Sequence, residues 1–136
     1  MALKELSIRE KPNYYVTEHF LYSDFVCPCC DTMKIIPAFY RQAAMLEHMR
    51  MELGFPIIVN SGYRCAKHNS EVGGAARSWH LLFATDISPA DDIKLQHAEA
   101  LQALYTLAEE MGFGGIGRYE TFLHLDLRPE TARWRG

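Results

Sequence analysis

Seven residues near the C-terminus, Phe122-Leu123-His124-Leu125-Asp126-Leu127-Arg128, alternate strictly. In an extended strand successive side chains point to opposite faces. The three leucines therefore share one face, and Phe122, His124, Asp126 and Arg128 share the other. A slip of one residue would exchange the two faces wholesale, so the segment tolerates one orientation. Its leucines must lie on a core, and its polar face must look into a space that uses imidazole, carboxylate and guanidinium. Any architecture for the chain has to supply a packing layer on one side of this strand and leave the other side open.

Two helices are available for that layer. The first begins near Pro37 and ends near Gly54, with proline in the first turn and glycine just past the end. Phe39, Ala43, Leu46, Met49 and Leu53 recur at helical spacing and form its core face. Met45, Met49 and Met51 read as core filling, and His48 as a surface or satisfied histidine. The second helix is expected to start at Ser88-Pro89, a hydroxyl cap followed by proline, with Asp91 and Asp92 in its first turn. Ile93, Ala100, Leu101, Leu104, Ala108 and Met111 make its buried stripe, and Gly112 ends it. His97 falls near that stripe and reads as a partly buried structural histidine.

Short strands fill in the rest. Pro56 to Asn60 is β-branched and bounded by turn residues, and it delivers Ser61-Gly62-Tyr63-Arg64. Residues 66–79 read as a loop with a turn of helix, and Ala84 to Ile87 as a second strand. Phe113 to Tyr119 carries three glycines and suggests a tight turn with a strand. Arg133, Trp134 and Arg135 in the tail are placed to cover an edge. Upstream, residues 13–26 read as irregular structure with a short helical turn, anchored by aromatics and capped by Ser23-Asp24. The expected fold class is α+β: a small, mostly antiparallel sheet, two long helices on the leucine face, and a groove on the other. The 136 residues fit one domain, with residues 1–19 as an N-terminal extension.

Charge and composition exclude some functions. The net charge is −3 and there is no Lys/Arg stripe, which argues against a nucleic-acid partner. No apolar run is long enough to span a bilayer. Met1 to Lys11 is mixed and charged and lacks the apolar core of a signal peptide. Synthesis in the cytoplasm and a monomeric state are the expectations. Four cysteines are present: Cys27, Cys29, Cys30 and Cys65. Their spacing does not form the two CxxC knuckles of an ordinary structural zinc site. Buried or idle thiols rank first, a disulfide to Cys65 second, and a second metal site last. Cytoplasmic thiols are expected to stay reduced.

His80 and Asp86 flank one loop–strand junction, and His124 comes from the alternating strand. Imidazole and carboxylate suit zinc, and three protein ligands leave a position for water. Zinc lowers the pKa of that water from about 15.7 to roughly 7 and polarises a carbonyl. Arg64 can grip a terminal carboxylate through its planar fork.

Ser61-Gly62-Tyr63-Arg64, His68-Asn69, Gly73-Gly74-Ala75, Ser78-x-His80, Ala84-Thr85-Asp86-Ile87, Gly115-Ile116-Gly117, Tyr119 and Phe122-x-His124-x-Asp126-x-Arg128 together resemble the zinc D-alanyl-D-alanine carboxypeptidase family. The similarity runs from about Phe20 to Trp134. That family shares its fold with the hedgehog signalling domain and with lysostaphin-type murein endopeptidases, and many members are small phage or prophage proteins. The resemblance implies a zinc peptidase, with one zinc per chain, that cleaves stem peptides or cross-links of peptidoglycan after release or lysis. It implies His80, Asp86 and His124 as zinc ligands. Arg64 would hold a substrate carboxylate or steady the oxyanion, and Ser78 and Tyr63 would contact substrate. Asp126 would handle protons or orient a ligand, ahead of Glu120 as a weaker candidate base.

One departure stands out. The family's Asp follows its His by seven residues, with a glycine between; here Asp86 follows His80 by six, and Phe83 occupies the glycine's place. Either the loop is shortened and Asp86 still reaches the metal, or the site is altered; the match of Ala84 to Ile87 favours the shortened loop. An alternative to catalysis is a zinc-containing module on the same fold that binds cell-wall peptide or a protein. A metal-free relic of the fold comes third.

Overall fold

The computed structural model describes residues 4–7, 14–75 and 77–136. Residues 1–3 and 8–13 of the expected N-terminal extension lie outside the described residues. Lys4–Ser7 (β1) and Thr32–Ile35 (β2) form a two-stranded antiparallel sheet. Next come Pro37–Leu53 (α1), Ile57–Ser61 (β3), the short helix Ala66–Glu71 (α2) and Thr85–Pro89 (β4). His97–Met111 (α3), Gly115–Arg118 (β5), Leu123–Asp126 (β6) and Ala132–Arg135 (β7) complete the chain. Upstream of β2, the aromatic segment makes a single 3-10 turn at Tyr22–Asp24, where the Asp24 carboxylate accepts the Leu21 amide at 2.7 Å.

Helix α1 starts and stops where its proline and glycine dictate. Gly54 sits at φ +73°, in the left-handed region that favours glycine, and its amide bonds the Arg50 carbonyl. Phe39, Ala43, Leu46 and Met49 are buried, but Met51 is 63% exposed. The expectation that all three methionines fill the core is corrected: Met51 lies two residues from Met49, on the opposite side of the helix. His48 is exposed.

Helix α3 starts eight residues later than expected. Ser88 and Pro89 are the last residues of β4, opposite Ile58 and Ile57 of β3. On its other side β4 pairs with β6 only over Thr85 to Ile87. Pro89 thus lies beyond that second partner, where a missing N–H breaks no ladder. The helix begins after Gln96 without a side-chain cap. His97 is partly buried, and its Nε2 donates to the Thr121 carbonyl at 2.9 Å.

The main sheet has the order β3-β4-β6-β5-β7. It is mixed, which corrects the expectation of a mostly antiparallel sheet. Three pairings are antiparallel, but β7 runs parallel to β5. Asp126 ends β6 opposite Gly115, the first residue of β5. The chain then crosses past that end, so β7 runs alongside β5 in the same direction, with Ala132 opposite Gly115. Leu123 and Leu125 are fully buried with Ile87 and Ile116. Helix α1 packs on α3, and α3 lies on β4, β5 and β6. Phe25, Phe39 and Phe83 make an aromatic core with centroids 5.3–5.9 Å apart. Among the described residues no helix is long and apolar enough to cross a membrane.

Candidate metal centre

Sheet register assembles one side of the site. Asp86 on β4 lies opposite His124 on β6, His124 opposite Gly117 on β5, and Gly117 opposite Trp134 on β7. One row of the sheet thus reads carboxylate, imidazole, bare backbone, indole. The next row pairs Asp126 with Gly115, where an added Cβ would lie 2.4 Å from the Asp126 carboxylate. Glycine is needed there because Asp126 and Arg128 fold across the backbone.

His80 arrives from outside the sheet, on a single 3-10 turn at Trp79–Leu81 whose cap is the Ser78 hydroxyl, accepting the His80 amide at 3.2 Å. The shortened His80–Asp86 connection works because Phe83 turns inward. It is 2% exposed within the aromatic core, and its carbonyl accepts from Gln42 at 3.1 Å. Asp86 is left on the open side of β4.

The proton positions follow from chemistry. The Gly62 carbonyl lies 2.7 Å from His80 Nδ1 and can only accept, so Nδ1 carries the proton and Nε2 presents a lone pair. Asp126 Oδ2 lies 2.7 Å from His124 Nε2, so that nitrogen carries the proton and Nδ1 presents a lone pair. Both lone pairs face Asp86 Oδ1, each at 3.2 Å. With both imidazoles neutral, three acceptors converge, an arrangement that a metal cation or an added proton on an imidazole resolves. The donor set of two imidazoles and a carboxylate, each imidazole backed by an oxygen on its far nitrogen, fits zinc.

The electrostatics agree. Burial pushes the Asp86 carboxyl up, but the hydrogen bonds that His124 and His80 give it when their facing nitrogens are protonated outweigh burial and hold the pKa at about 2. Asp126 is fully buried; burial opposes its charge, and the Arg128 guanidinium with His124 holds it well below the usual carboxylate range. Burial pushes His124 down, and the two carboxylates beside it more than reverse this. A proton added to His124 would therefore face Asp86, at the position a metal would take.

Arg64 lines the cleft. Its Nη1 donates to Asn69 Oδ1 at 3.1 Å, Asn69 in turn donates to the Ala75 carbonyl, and its Nε has no partner among the described residues. Ser78 also lines the cleft, which measures about 510 Å³. Tyr63 does not: it is 3% exposed, part of the core, and lies under the Lys34 ammonium. Glu120 does not either; it is exposed and lines a separate hollow with Arg118, Tyr119 and Arg135. Asp126 sits beneath the site, closed off by Arg128 through contacts of 2.8 and 2.6 Å.

Three features escaped the residue pattern. Arg128 lies between two indoles, 5.2 Å from the Trp79 ring centre and 5.0 Å from that of Trp134, so the polar face of β6 is walled by a cation–π sandwich. Asn69 holds Arg64. The Gly62 carbonyl sets the His80 tautomer, and as a backbone atom it leaves no trace in residue types. Arg128 and Trp134 had a signal in the alternation of β6 and in the aromatic tail.

The sequence model of the family described as Peptidase M15 matches residues 18–126. A comparison with curated protein sequences finds no match. The match spans most of the chain, including His80, Asp86 and His124. The chain belongs to the M15 peptidase family, of the zinc D-alanyl-D-alanine carboxypeptidase type.

Proposed function

We propose that the protein is a zinc-dependent peptidase acting on peptidoglycan stem peptides or cross-links, reached after release or lysis. The observation that carries this reading is the convergence of His80 Nε2, His124 Nδ1 and Asp86 Oδ1 in a cleft that also presents Arg64. Bound zinc would supply a Lewis acid and a water acidic enough to attack at neutral pH. The chain's own residues prepare for it. Gly62 and Asp126 keep the protons on the outer nitrogens of the two histidines, so both inner nitrogens are free to ligate. Asn69 fixes one arm of Arg64 and leaves the remainder of its fork for a substrate carboxylate, the group at the end of a D-alanyl-D-alanine stem. Ser78 lies beside His80 on the cleft wall for a backbone contact with substrate. Tyr119 and Phe122 stack at 4.4 Å and, with Trp134, form an apolar wall.

Asp126 acts in this reading as the orienter of His124. Glu120 and Tyr63 have no place in it as base or substrate contact. One observation favours a second reading, a non-catalytic module that binds cell-wall peptide. Among the described residues the cleft has no carboxylate besides Asp86, and Asp126 is engaged by Arg128. Zinc analysis together with turnover of purified murein peptides decides. The peptidase reading expects cleavage that chelation abolishes and zinc restores, and one equivalent of zinc lost in His80→Ala, Asp86→Ala and His124→Ala. Tight peptide binding without turnover in the zinc-loaded protein would establish the module. Cleavage that survives both chelation and His124→Ala would overturn both.

A further inference from the structure

We propose that Cys27, Cys29, Cys30 and Cys65 form a second zinc site, structural in role, which fastens the N-terminal segment to the loop that carries Arg64. The four Sγ atoms all lie within 4.8 Å of one another. Three of their separations are 3.3, 3.5 and 3.6 Å. A regular tetrahedron with zinc–sulfur bonds of about 2.3 Å has edges of about 3.8 Å, so these sulfurs stand close to coordinating distance. A disulfide would draw two sulfurs to about 2.05 Å and leave the other two without a role. Near-equal spacing of Cys27, Cys29 and Cys65 selects no pair. All four cysteines are free.

The spacing that argued against zinc in the sequence has a structural explanation. Cys27 to Thr32 closes on itself. The Cys27 amide bonds the Thr32 carbonyl at 2.7 Å, the Asp31 amide returns to the Cys27 carbonyl at 2.8 Å, and Asp31 takes φ +54° to complete the reversal. This one turn supplies three sulfurs where an ordinary knuckle supplies two. Cys65, 38 residues on, supplies the fourth. The His68 amide donates to Cys65 Sγ at 3.4 Å, and the Thr32 hydroxyl lies 2.9 Å from Cys30 Sγ. Hydrogen bonds of this kind support charged thiolate ligands. Cys29 is exposed while Cys27 is buried, so an ion can enter from solvent and finish in a partly dry site. Four thiolates in tetrahedral array select zinc among the common divalent ions.

The position indicates the role. The Tyr63 amide bonds the Phe25 carbonyl at 2.9 Å. A Cβ on Gly62 would lie 2.5 Å from that same carbonyl, so residues 25 and 62 touch backbone to backbone. The cluster lies just beyond this contact on both strands of chain. An ion there would fasten the segment whose Gly62 carbonyl orients His80 and whose Arg64 faces the cleft. This reading goes beyond the proposed peptidase activity and stands without it.

The test is metal analysis of the full chain purified under reducing conditions, with cobalt as the spectroscopic probe. Wild type is expected to hold about two equivalents of zinc, and Cys65→Ser, Cys29→Ser and His124→Ala about one each. Thiolate-to-cobalt charge-transfer absorption is expected in wild type and His124→Ala and absent from both serine variants. Cys29 is exposed, so its serine variant reads the site even if Cys65→Ser misfolds. A metal-free His124→Ala protein would overturn the proposal. So would four thiols that alkylate at the same rate with and without zinc, a disulfide in the intact mass of non-reduced protein, or iron at the site. Absence of the cobalt thiolate band from wild type with the histidine centre loaded would refute the cysteine site alone. A single equivalent in wild type, kept in His124→Ala and lost in Cys65→Ser and Cys29→Ser, would refute the histidine centre alone.

Discussion

Replacing Asp126 by asparagine changes one atom and removes one charge. Asp126 accepts from Arg128 Nε at 2.8 Å, Nη2 at 2.6 Å and the Arg128 amide at 3.0 Å, and from His124 Nε2 at 2.7 Å. Asparagine can keep its oxygen toward the Arg128 amide and Nε. Its NH₂ group then takes the place of Oδ2, facing Arg128 Nη2 and His124 Nε2, both donors. His124 relieves its half of the clash only by moving its proton to Nδ1. That proton then points at Asp86 and occupies the lone pair the metal needs. Loss of such a backing group typically costs about 10–100-fold in metal affinity, or about 1.4–2.7 kcal/mol. The metal-free fold suffers separately, because Arg128 loses its counter-charge. Breaking a buried pair costs about 3–5 kcal/mol, and the low end applies here because the Arg128 side chain is 22% exposed and water can reach it. Chelator competition reads the first effect, with His124→Ala alongside to identify the binding step that belongs to this centre. Urea denaturation of chelated protein reads the second. Unchanged zinc affinity in a folded Asp126→Asn protein would refute the tautomer argument.

Phe83→Ala opens a cavity among Phe25, Phe39 and Gln42; an unfolding loss of about 3–5 kcal/mol is expected by urea denaturation, with the zinc content of folded protein unchanged. Gly62→Ala drives a methyl against the Phe25 backbone and is expected to cost about 1–3 kcal/mol by the same assay. The Glu47–His19 pair yields a pH test. Burial pushes Glu47 up, but hydrogen bonds from His19 more than offset it and hold the carboxyl below its ordinary value of 4.5. A depressed folded pKa means stability that is present above 4.5 and lost as pH falls through the folded value. The stability gap between wild type and Glu47→Gln should therefore be level at neutral pH and close on acidification. Its size should be about 1 kcal/mol or less, since His19 is 36% exposed and the pair is screened. A gap that widens in acid would reverse the sign of the argument.

Helix α1 was legible because its signals are local: Pro37 and Gly54 act on their own turns, and the burial of Phe39, Ala43, Leu46 and Met49 follows from spacing alone. The faces of β6 were legible for the same reason, since alternation is a property of a single extended segment. Ser88-Pro89 carries an equally good local signal and misled, because the ladder between β3 and β4 extends through Pro89 and outweighs a cap. The parallel edge strand was hidden, because the direction of β7 depends on which end of β5 the chain crosses.

The amino-acid sequence by itself determined which chemistry the chain can carry: two imidazoles, a carboxylate and a guanidinium on segments whose apolar partners had to be buried elsewhere. Tertiary structure decided which of them meet. Asp86 reaches His124, 38 residues away, through a strand register. Gly62 reaches His80 through a backbone carbonyl, Glu120 turns to another face, and Cys65 joins a turn it does not adjoin in sequence. Periodicity and capping act over one or two turns of backbone. Convergence requires long loops to close, and the free energy that closes them comes from the burial of Phe25, Phe39, Phe83 and the β6 leucines, none of which touches the chemistry.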